Sequence, residues 1–194
     1  MDKKVTGFTV AEGVTRIGRI HFSQCSNLAS LEGMREGVRV IHDCAFYSCL
    51  RLTSLRGLPK YSLTKIGYGA FADSGLESLG GLPSTVTTIE QYCFASCFRL
   101  ASIGPGFSPN CDVHLLAFDD CAALLAAAEV KGFSSIVAWG KHHWLVVNRR
   151  FAALAAVCQV RRGYHGEPSQ LLARIALLCD DLVREVVEFV GASG

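Results

Sequence analysis

A phenylalanine recurs about every 24 residues in the first two thirds of this chain. The positions are Phe22, Phe46, Phe71, Phe94 and Phe118, separated by 24, 25, 23 and 24 residues. Each has an aliphatic residue five positions before it and a cysteine or serine three positions after it, followed by a Leu-x-x-Leu pattern that weakens in the last copy. A fixed period of this length indicates a solenoid, in which each coil buries its apolar face against its neighbours.

The spacing within one period predicts three parts for each coil. The aliphatic segment, such as 63–66, is expected to be extended, and the segment around each phenylalanine suits a single tight helical turn. The Leu-x-x-Leu pattern, as in 52–55, is expected to form a short strand that ends at a turn rich in glycine and proline. Stacked coils place equivalent strands side by side, so we expect parallel sheets, entered by a strand over 5–10.

Two segments resemble a known family. The strings 64–71 (TKIGYGAF) and 82–89 (LPSTVTTI) are similar to the BspA-like family of leucine-rich repeats. That family carries an Ile-Gly-x-x-Ala-Phe-x-x-Cys-x-x-Leu unit ahead of a Leu-Pro turn. The resemblance covers about residues 5–127 and implies an α/β leucine-rich-repeat solenoid of about five coils of 23–25 residues. The third repeat is one residue shorter, and the fifth has alanines where strand leucines belong.

After about residue 128 the period ends and helical spacing begins. Residues 144–160 are apolar on nearly every side, and 171–189 place apolar residues on one helix face. An open solenoid end exposes apolar side chains and unpaired strand edges. We therefore expect two domains: a solenoid over 1–127 and a helical C-terminal cap over 128–194, packed on the last repeat.

Composition and charge narrow the function classes. Half of the 194 residues are hydrophobic and the formal net charge is +2, so neither disorder nor nucleic-acid binding is expected. The first ten residues (MDKKVTGFTV) lack an apolar core of the kind found in secretory signals. The apolar stretch 144–160 contains Arg149 and Arg150, which oppose membrane insertion. We expect a cytoplasmic protein without a membrane span, with its nine cysteines reduced.

The residues do not predict a catalytic centre, a metal site or a cofactor. The residues three positions after each phenylalanine form a column: Cys25, Cys49, Ser74, Cys97 and Cys121. Ser74 divides the cysteines of this column into two pairs, whereas a zinc site needs four ligands around one point. Phosphate-loop, nucleophile-elbow and zinc-protease motifs are missing from the sequence. We expect a non-enzymatic protein. One alternative is a small-molecule or hydrolytic site in a crevice between solenoid and cap, near Cys121, His142 and His143.

The expected function is a protein-interaction module, since solenoids mostly present surfaces. The partner is a protein of unknown identity, and the chain is expected to be a monomer. Residues that flank the inward leucines form the candidate interaction surface: Ser30, Glu32, Ser54, Arg56, Ser78 and Ser102. Exposed aromatic anchors are expected at Tyr47, Tyr61, Tyr68, Tyr92 and Phe98. A second alternative is anionic-ligand binding through a basic helix, 141–162, whose candidate patch is Lys141, Arg149, Arg150, Arg161 and Arg162.

Overall fold

The aliphatic residue five positions before each phenylalanine lies in a parallel sheet. The computed structural model describes residues 5–108 and 110–142. Its five strands each contain two residues, and they lie in the sheet in chain order. The strands are β1 (Arg16–Ile17), β2 (Val40–Ile41), β3 (Lys65–Ile66), β4 (Thr88–Ile89) and β5 (Asp112–Val113). The period therefore describes stacked coils with short parallel strands, as expected.

The register keeps equivalent residues beside each other. Ile17 pairs with Ile41, and Ile41 pairs with Ile66, so the aliphatic side chains stack in the interior. The first residue of each strand faces outward, because neighbouring side chains in a strand point to opposite faces. The sheet therefore has one apolar inner face and one accessible outer face.

The segment around each phenylalanine is a series of tight turns instead of the single helical turn expected from sequence. In the second coil Cys44 and Ser48 have φ values of 52° and 55°, in the left-handed region. The same two positions, two residues before and after the phenylalanine, are left-handed in most coils: Ile20, Gln24, Gly69, Asp73, Tyr92, Ser96 and Asp120. Left-handed backbone costs a non-glycine residue about 1–2 kcal/mol, so regular hydrogen bonds must offset this strain.

Hydrogen bonds join neighbouring coils both at the sheet and around the phenylalanines. Just after β2 the His42 N–H donates to the Ile17 carbonyl of the earlier coil at 3.0 Å. Around the phenylalanines the earlier coil donates: the Phe46 N–H bonds to the Ala70 carbonyl at 2.8 Å. The intervening N–H groups, such as that of Tyr47, close turns within their own coil. Nearly every backbone donor in this segment is therefore used.

The phenylalanines form a stack through the core. Successive rings from Phe22 to Phe118 lie 5.2, 5.2, 5.8 and 5.3 Å apart between centroids and are within 11° of parallel. Phe8 packs on the first ring at 4.5 Å, and Phe107 packs on the last at 5.6 Å. Two phenylalanines from outside the repeat column therefore end the stack.

The Leu-x-x-Leu segments carry less regular pairing than expected. Their leucines are buried, for example Leu52 and Leu55, but the described pairing there is a single bridge between Ser78 and Ser102. Turns that contain glycine follow directly, and Gly57 and Gly81 have φ values of +94° and +96°. These bends keep the segments short. The regular sheet lies on the aliphatic side of each coil, so the strand expected over 52–55 is wrong.

Residues 5–10 take the place of part of an earlier coil. A Cβ atom at Gly33 would lie 1.5 Å from the Phe8 carbonyl oxygen, just as one at Gly57 would lie 2.6 Å from that of Leu31. Phe8 thus stands in the position that Leu31 holds in the first complete coil. The Val10 N–H donates to the Gly33 carbonyl at 2.9 Å. Residues 5–10 have no regular secondary structure, so the strand expected there from sequence is wrong.

The solenoid passes into a helix at its fifth repeat. Helix α1 covers Ala122–Val130, where Leu124 is kept, Ala127 replaces the second leucine of the pattern, and the many alanines favour helix. Gly132, at φ +80°, ends it, with the Phe133 N–H bonded to the Ala128 carbonyl and the Gly132 N–H to the Glu129 carbonyl. This pair of bonds is a Schellman motif.

Residues 136–142 are also helical and pack on the stack of phenylalanines. Ile136 and Trp139 are buried, and the Phe107 N–H donates to the Gly140 carbonyl at 3.1 Å. All described residues belong to one compact unit, Met1–Leu145; the other unit, Val146–Gly194, lies outside them. The division at 127/128 and the packing of 128–194 as a cap stay predictions. No helix in the described ranges is long and apolar enough to cross a membrane.

Candidate functional site

Three serines of the candidate interaction surface predicted from sequence have a local structural role. The hydroxyl oxygens of Ser30, Ser78 and Ser102 accept backbone N–H groups two residues onward at 3.1, 3.0 and 3.2 Å. These bonds fix the turn after each Leu-x-x-Leu segment. Ser54 is half-buried, whereas Glu32 and Arg56 are exposed. The six residues follow one another along the coils, but not on the face of the β1–β5 sheet.

The outer face of that sheet is the most regular surface in the described residues. The register brings one outward residue from every coil into a row: Arg16, Val40, Lys65, Thr88 and Asp112. The row changes from basic in the early coils to acidic at β5. Such a surface holds side chains of different chemistry at fixed spacing, about 4.8 Å per coil.

A concavity of about 470 Å³ lies on this face over β1–β3. Its lining includes Arg16, Arg39, His42, Asp43 and Lys65. Gly67 also lines it, and a Cβ atom there would lie 2.8 Å from Asp43 Oδ1 and 3.0 Å from the Asp43 backbone nitrogen. Glycine at this position lets the Asp43 carboxylate sit against the third coil. A side chain at Gly67 would therefore displace Asp43 at the wall of the concavity.

Ion pairs neutralise part of the charge around the concavity. Lys65 Nζ lies 2.5 Å from Glu90 Oε1, and this hydrogen bond and its charge raise the pKa of Lys65 above the ordinary 10.5. Arg19 Nε lies 3.4 Å from Asp43 Oδ2. Arg16 and Arg39 make no ion pair with another described residue. Two guanidinium groups thus remain available to an anionic group from outside.

Sequence reasoning missed this concavity because it placed the strands at the leucines. The available signal was the residue just before each aliphatic position, where Arg16 and Lys65 occur two coils apart. Tyr68, one of the expected aromatic anchors, is partly exposed one residue beyond Gly67 and packs edge-on against Tyr92 at 5.6 Å. Tyr47, Tyr61 and Phe98 are exposed. They are not among the residues that line the concavity.

The side chains of the cysteine column are buried and bond to neighbouring coils. The thiols of Cys49, Cys97 and Cys121 donate to phenylalanine carbonyls of the preceding coil at 3.2, 3.3 and 3.1 Å. Ser74 continues the column, with its hydroxyl 3.3 Å from Cys97 Sγ. These contacts join successive coils. The thiols therefore act in packing, and within the described ranges no group of three or more His, Cys, Asp or Glu side chains could hold a metal ion.

The residues named for the crevice and the basic patch fall at the end of the described region. Burial raises the pKa of Cys121 to about 12, which opposes a thiolate nucleophile at neutral pH. The His142 ring lies 5.2 Å from that of Phe133, and Lys141 is half-buried. His143 and four members of the basic patch lie outside the described residues: Arg149, Arg150, Arg161 and Arg162. The ionisable neighbours of Cys121 are Cys97, Asp119 and Asp120, whose charges also raise the pKa of its thiol.

Comparisons with known proteins identify the repeat. A crystal structure of a leucine-rich repeat protein from Bacteroides ovatus ATCC 8483 is similar, at 29% sequence identity with a TM-score of 0.51. The match covers 62% of this chain and 30% of that protein, so this chain spans less than a third of its length. No curated protein matches the chain. The model of the BspA type leucine rich repeat region matches residues 1–124 in six copies. The chain therefore belongs to the BspA type leucine-rich-repeat family.

Proposed function

We propose that this chain is a non-enzymatic protein-interaction module that binds its partner on the outer face of the β1–β5 sheet. The observation that carries the proposal is the row of outward side chains, held in register by five paired strands. A rigid surface of this kind lowers the ordering cost of binding, because its side chains need not be assembled on contact. Family membership supports the interaction role by analogy of fold.

The chemistry of the buried thiols supports the non-enzymatic part of the proposal. Burial raises the pKa of Cys111 to about 11 and that of Cys93 well above 9.0, so each thiol stays protonated near neutral pH. Protonated, buried thiols are poor nucleophiles and poor metal ligands.

The test blocks the sheet face without altering the core. Val40 and Thr88 face outward on β2 and β4, and their replacement by tryptophan (Val40→Trp, Thr88→Trp) should cover the face while keeping strand propensity. Ser84→Trp, exposed in the turn that follows Leu82-Pro83, adds the same bulk elsewhere and serves as the control.

The measurement is affinity purification with quantitative mass spectrometry on wild type and variants. We expect proteins retained by wild type and by Ser84→Trp to be lost from the double tryptophan variant. Circular dichroism melting verifies that all three proteins are folded. Equal retention of the same partners by both variants would place the interface elsewhere and reject the use of the sheet face.

A further inference from the structure

We propose that the concavity over β1–β3 binds an extended acidic segment of a protein partner. This inference rests on the proposed use of the sheet face and adds the chemistry of the partner. Three observations define that chemistry. They are the cations on the first three coils, the carboxylate among these cations, and the acidic residues on the last two coils.

The cations are spread over three coils. Arg16 is on β1, Arg39 immediately precedes β2, and Lys65 is on β3. Val40 pairs with both Arg16 and Lys65, so these two cations flank a small apolar residue. Arg39 adjoins Val40, so the backbones of Arg16 and Arg39 are about 5–6 Å apart, while side chains on one face of an extended peptide recur about every 7 Å. Long arginine side chains can adjust to that spacing, so alternating carboxylates fit the site.

The Asp43 carboxylate argues against a compact dianion such as phosphate. It lines the same concavity as Arg16 and Arg39, and it would repel a doubly charged group placed between them about twice as strongly as a single carboxylate. A peptide carries one charge per acidic side chain and also offers backbone N–H groups, which can donate to Asp43. Lys65 is already bonded to Glu90, so the two arginines are the main contacts for incoming carboxylates.

Acidic residues on the last two coils of the same face determine how the partner segment is oriented. Glu90 follows β4 and Asp112 is on β5, so acidic side chains occupy the last two coils. An acidic peptide that continued over them would meet like charge. The partner segment should therefore carry its acidic residues over β1–β3 and neutral or basic residues over β4 and β5.

The test measures binding of a defined peptide to the full chain. The probe is a fluorescein-labelled octapeptide of alternating glutamate and serine, followed by fluorescence anisotropy; its counterpart has glutamine in place of glutamate. The variant is Arg16→Glu with Arg39→Glu. The matched control is Arg35→Glu with Arg51→Glu, two exposed arginines outside the concavity. At about 150 mM salt, charges more than roughly 8 Å away are largely screened.

We expect wild type to bind the glutamate peptide and the Arg16/Arg39 variant to bind it at least tenfold more weakly. The control should change the affinity less than twofold, and raising the salt to about 500 mM should weaken wild-type binding severalfold. Arg16→Gln with Arg39→Gln gives the same loss in a variant without added repulsion, should the charge reversal impair folding.

Three outcomes would overturn the inference. The first is equal affinity of wild type for the glutamate and glutamine peptides. The second is an equal loss of affinity in the Arg16/Arg39 variant and in the Arg35/Arg51 control, and the third is binding of inorganic phosphate as tight as that of the glutamate peptide. If the tryptophan variants still lose partners that the control retains, the interaction role stands and only the acidic chemistry is rejected. If the peptide binds through Arg16 and Arg39 while the tryptophan variants keep every partner, the site exists but does not carry the main interface.

Discussion

At the scale of single residues, a few columns of side chains determine the coil. The stacked phenylalanines fill its centre, and buried thiols bond to the carbonyls of the neighbouring coil. Interiors are packed closely enough that a lost ring leaves a cavity. Residues on the outer surface have no such neighbours, so the same substitution should have very different costs at the two kinds of position.

Phe46→Ala should destabilise the protein by about 3–5 kcal/mol, because it removes a fully buried ring and leaves a cavity between two stacked rings. Phe98→Ala is the matched control, since its side chain is 62% exposed and should cost less than about 1 kcal/mol. Urea unfolding followed by circular dichroism measures both. Similar costs for the two variants would contradict the core position of the phenylalanine column.

Raising the pH above about 9 should destabilise the fold through its buried thiols. The folded-state pKa values of Cys111 and Cys121, about 11 and about 12, exceed the ordinary 9.0, so below that pH both folded and unfolded thiols are protonated. Above it the unfolded chain loses protons that the folded chain keeps, and stability falls as the pH rises toward those values. Each such thiol contributes up to about 1.4 kcal/mol per pH unit.

The free energy of unfolding at pH 8, 9 and 10, measured in the presence of a reductant, tests this dependence. Cys121→Ala should have a shallower decline than wild type, because one buried thiol is removed. Cys44→Ala, at a half-buried position, serves as the control. An unchanged slope for Cys121→Ala would show that its thiol is not held protonated by the fold.

At the scale of elements, the coils differ in length. The third repeat is one residue shorter after its phenylalanine, and Gly75 occupies the resulting tight passage. A Cβ atom there would lie 2.0 Å from the carbonyl oxygen of Leu50. The short repeat is therefore tolerated because a glycine backbone can pass against the second coil.

Gly75→Ala should destabilise the protein by roughly 1–3 kcal/mol, since the methyl group would displace backbone instead of a flexible side chain. Gly7→Ala is the comparison, because a Cβ atom at Gly7 meets nothing within 4 Å and should change stability little. Thermal unfolding of the two variants measures the difference. Equal melting temperatures would show that the third coil has room for the methyl group.

The same scale explains which structural features the sequence could predict. The spacing of Phe46 and its counterparts predicted stacked coils with parallel strands, because burial requires each apolar column to repeat in register. It did not predict which side of the coil carries the sheet, since Ile41 and Leu52 are equally suitable for a strand. That choice depends on where turns let neighbouring N–H and carbonyl groups meet. The concavity was missed for the same reason, because its position follows from β1–β3 and from Gly67.

At the scale of the whole molecule, the described part of the solenoid ends in two different ways. Residues 5–10 supply part of a coil at one end, and α1 with the helical residues 136–142 follows the last coil at the other. A Cβ atom at Gly140 would lie 2.1 Å from the Phe107 ring, which indicates how closely that segment approaches the stack. Residues 133–142 therefore belong to the packed structure of the last coil.

Comparing fragments 1–145 and 1–132 isolates this closing segment. The longer fragment retains the residues that cover Phe107, and the shorter one exposes that ring and removes Trp139. We expect the shorter fragment to aggregate or to melt at a clearly lower temperature, as exposed apolar patches promote association. Size-exclusion chromatography and thermal unfolding measure both effects. Equal behaviour of the two fragments would mean that 133–145 contribute nothing to the solenoid.

The hydrogen bonds around the phenylalanines have an electrostatic consequence, because they point the same way in every coil. The N–H groups of Phe22, Phe46 and Phe94 each donate to a carbonyl of the following coil. Peptide dipoles aligned in this way add along a row, as they do in an α-helix. The backbone of this segment therefore contributes a potential that grows with the number of coils, whereas the gradient from basic to acidic along the sheet face is set by side chains that point substitutions can reverse.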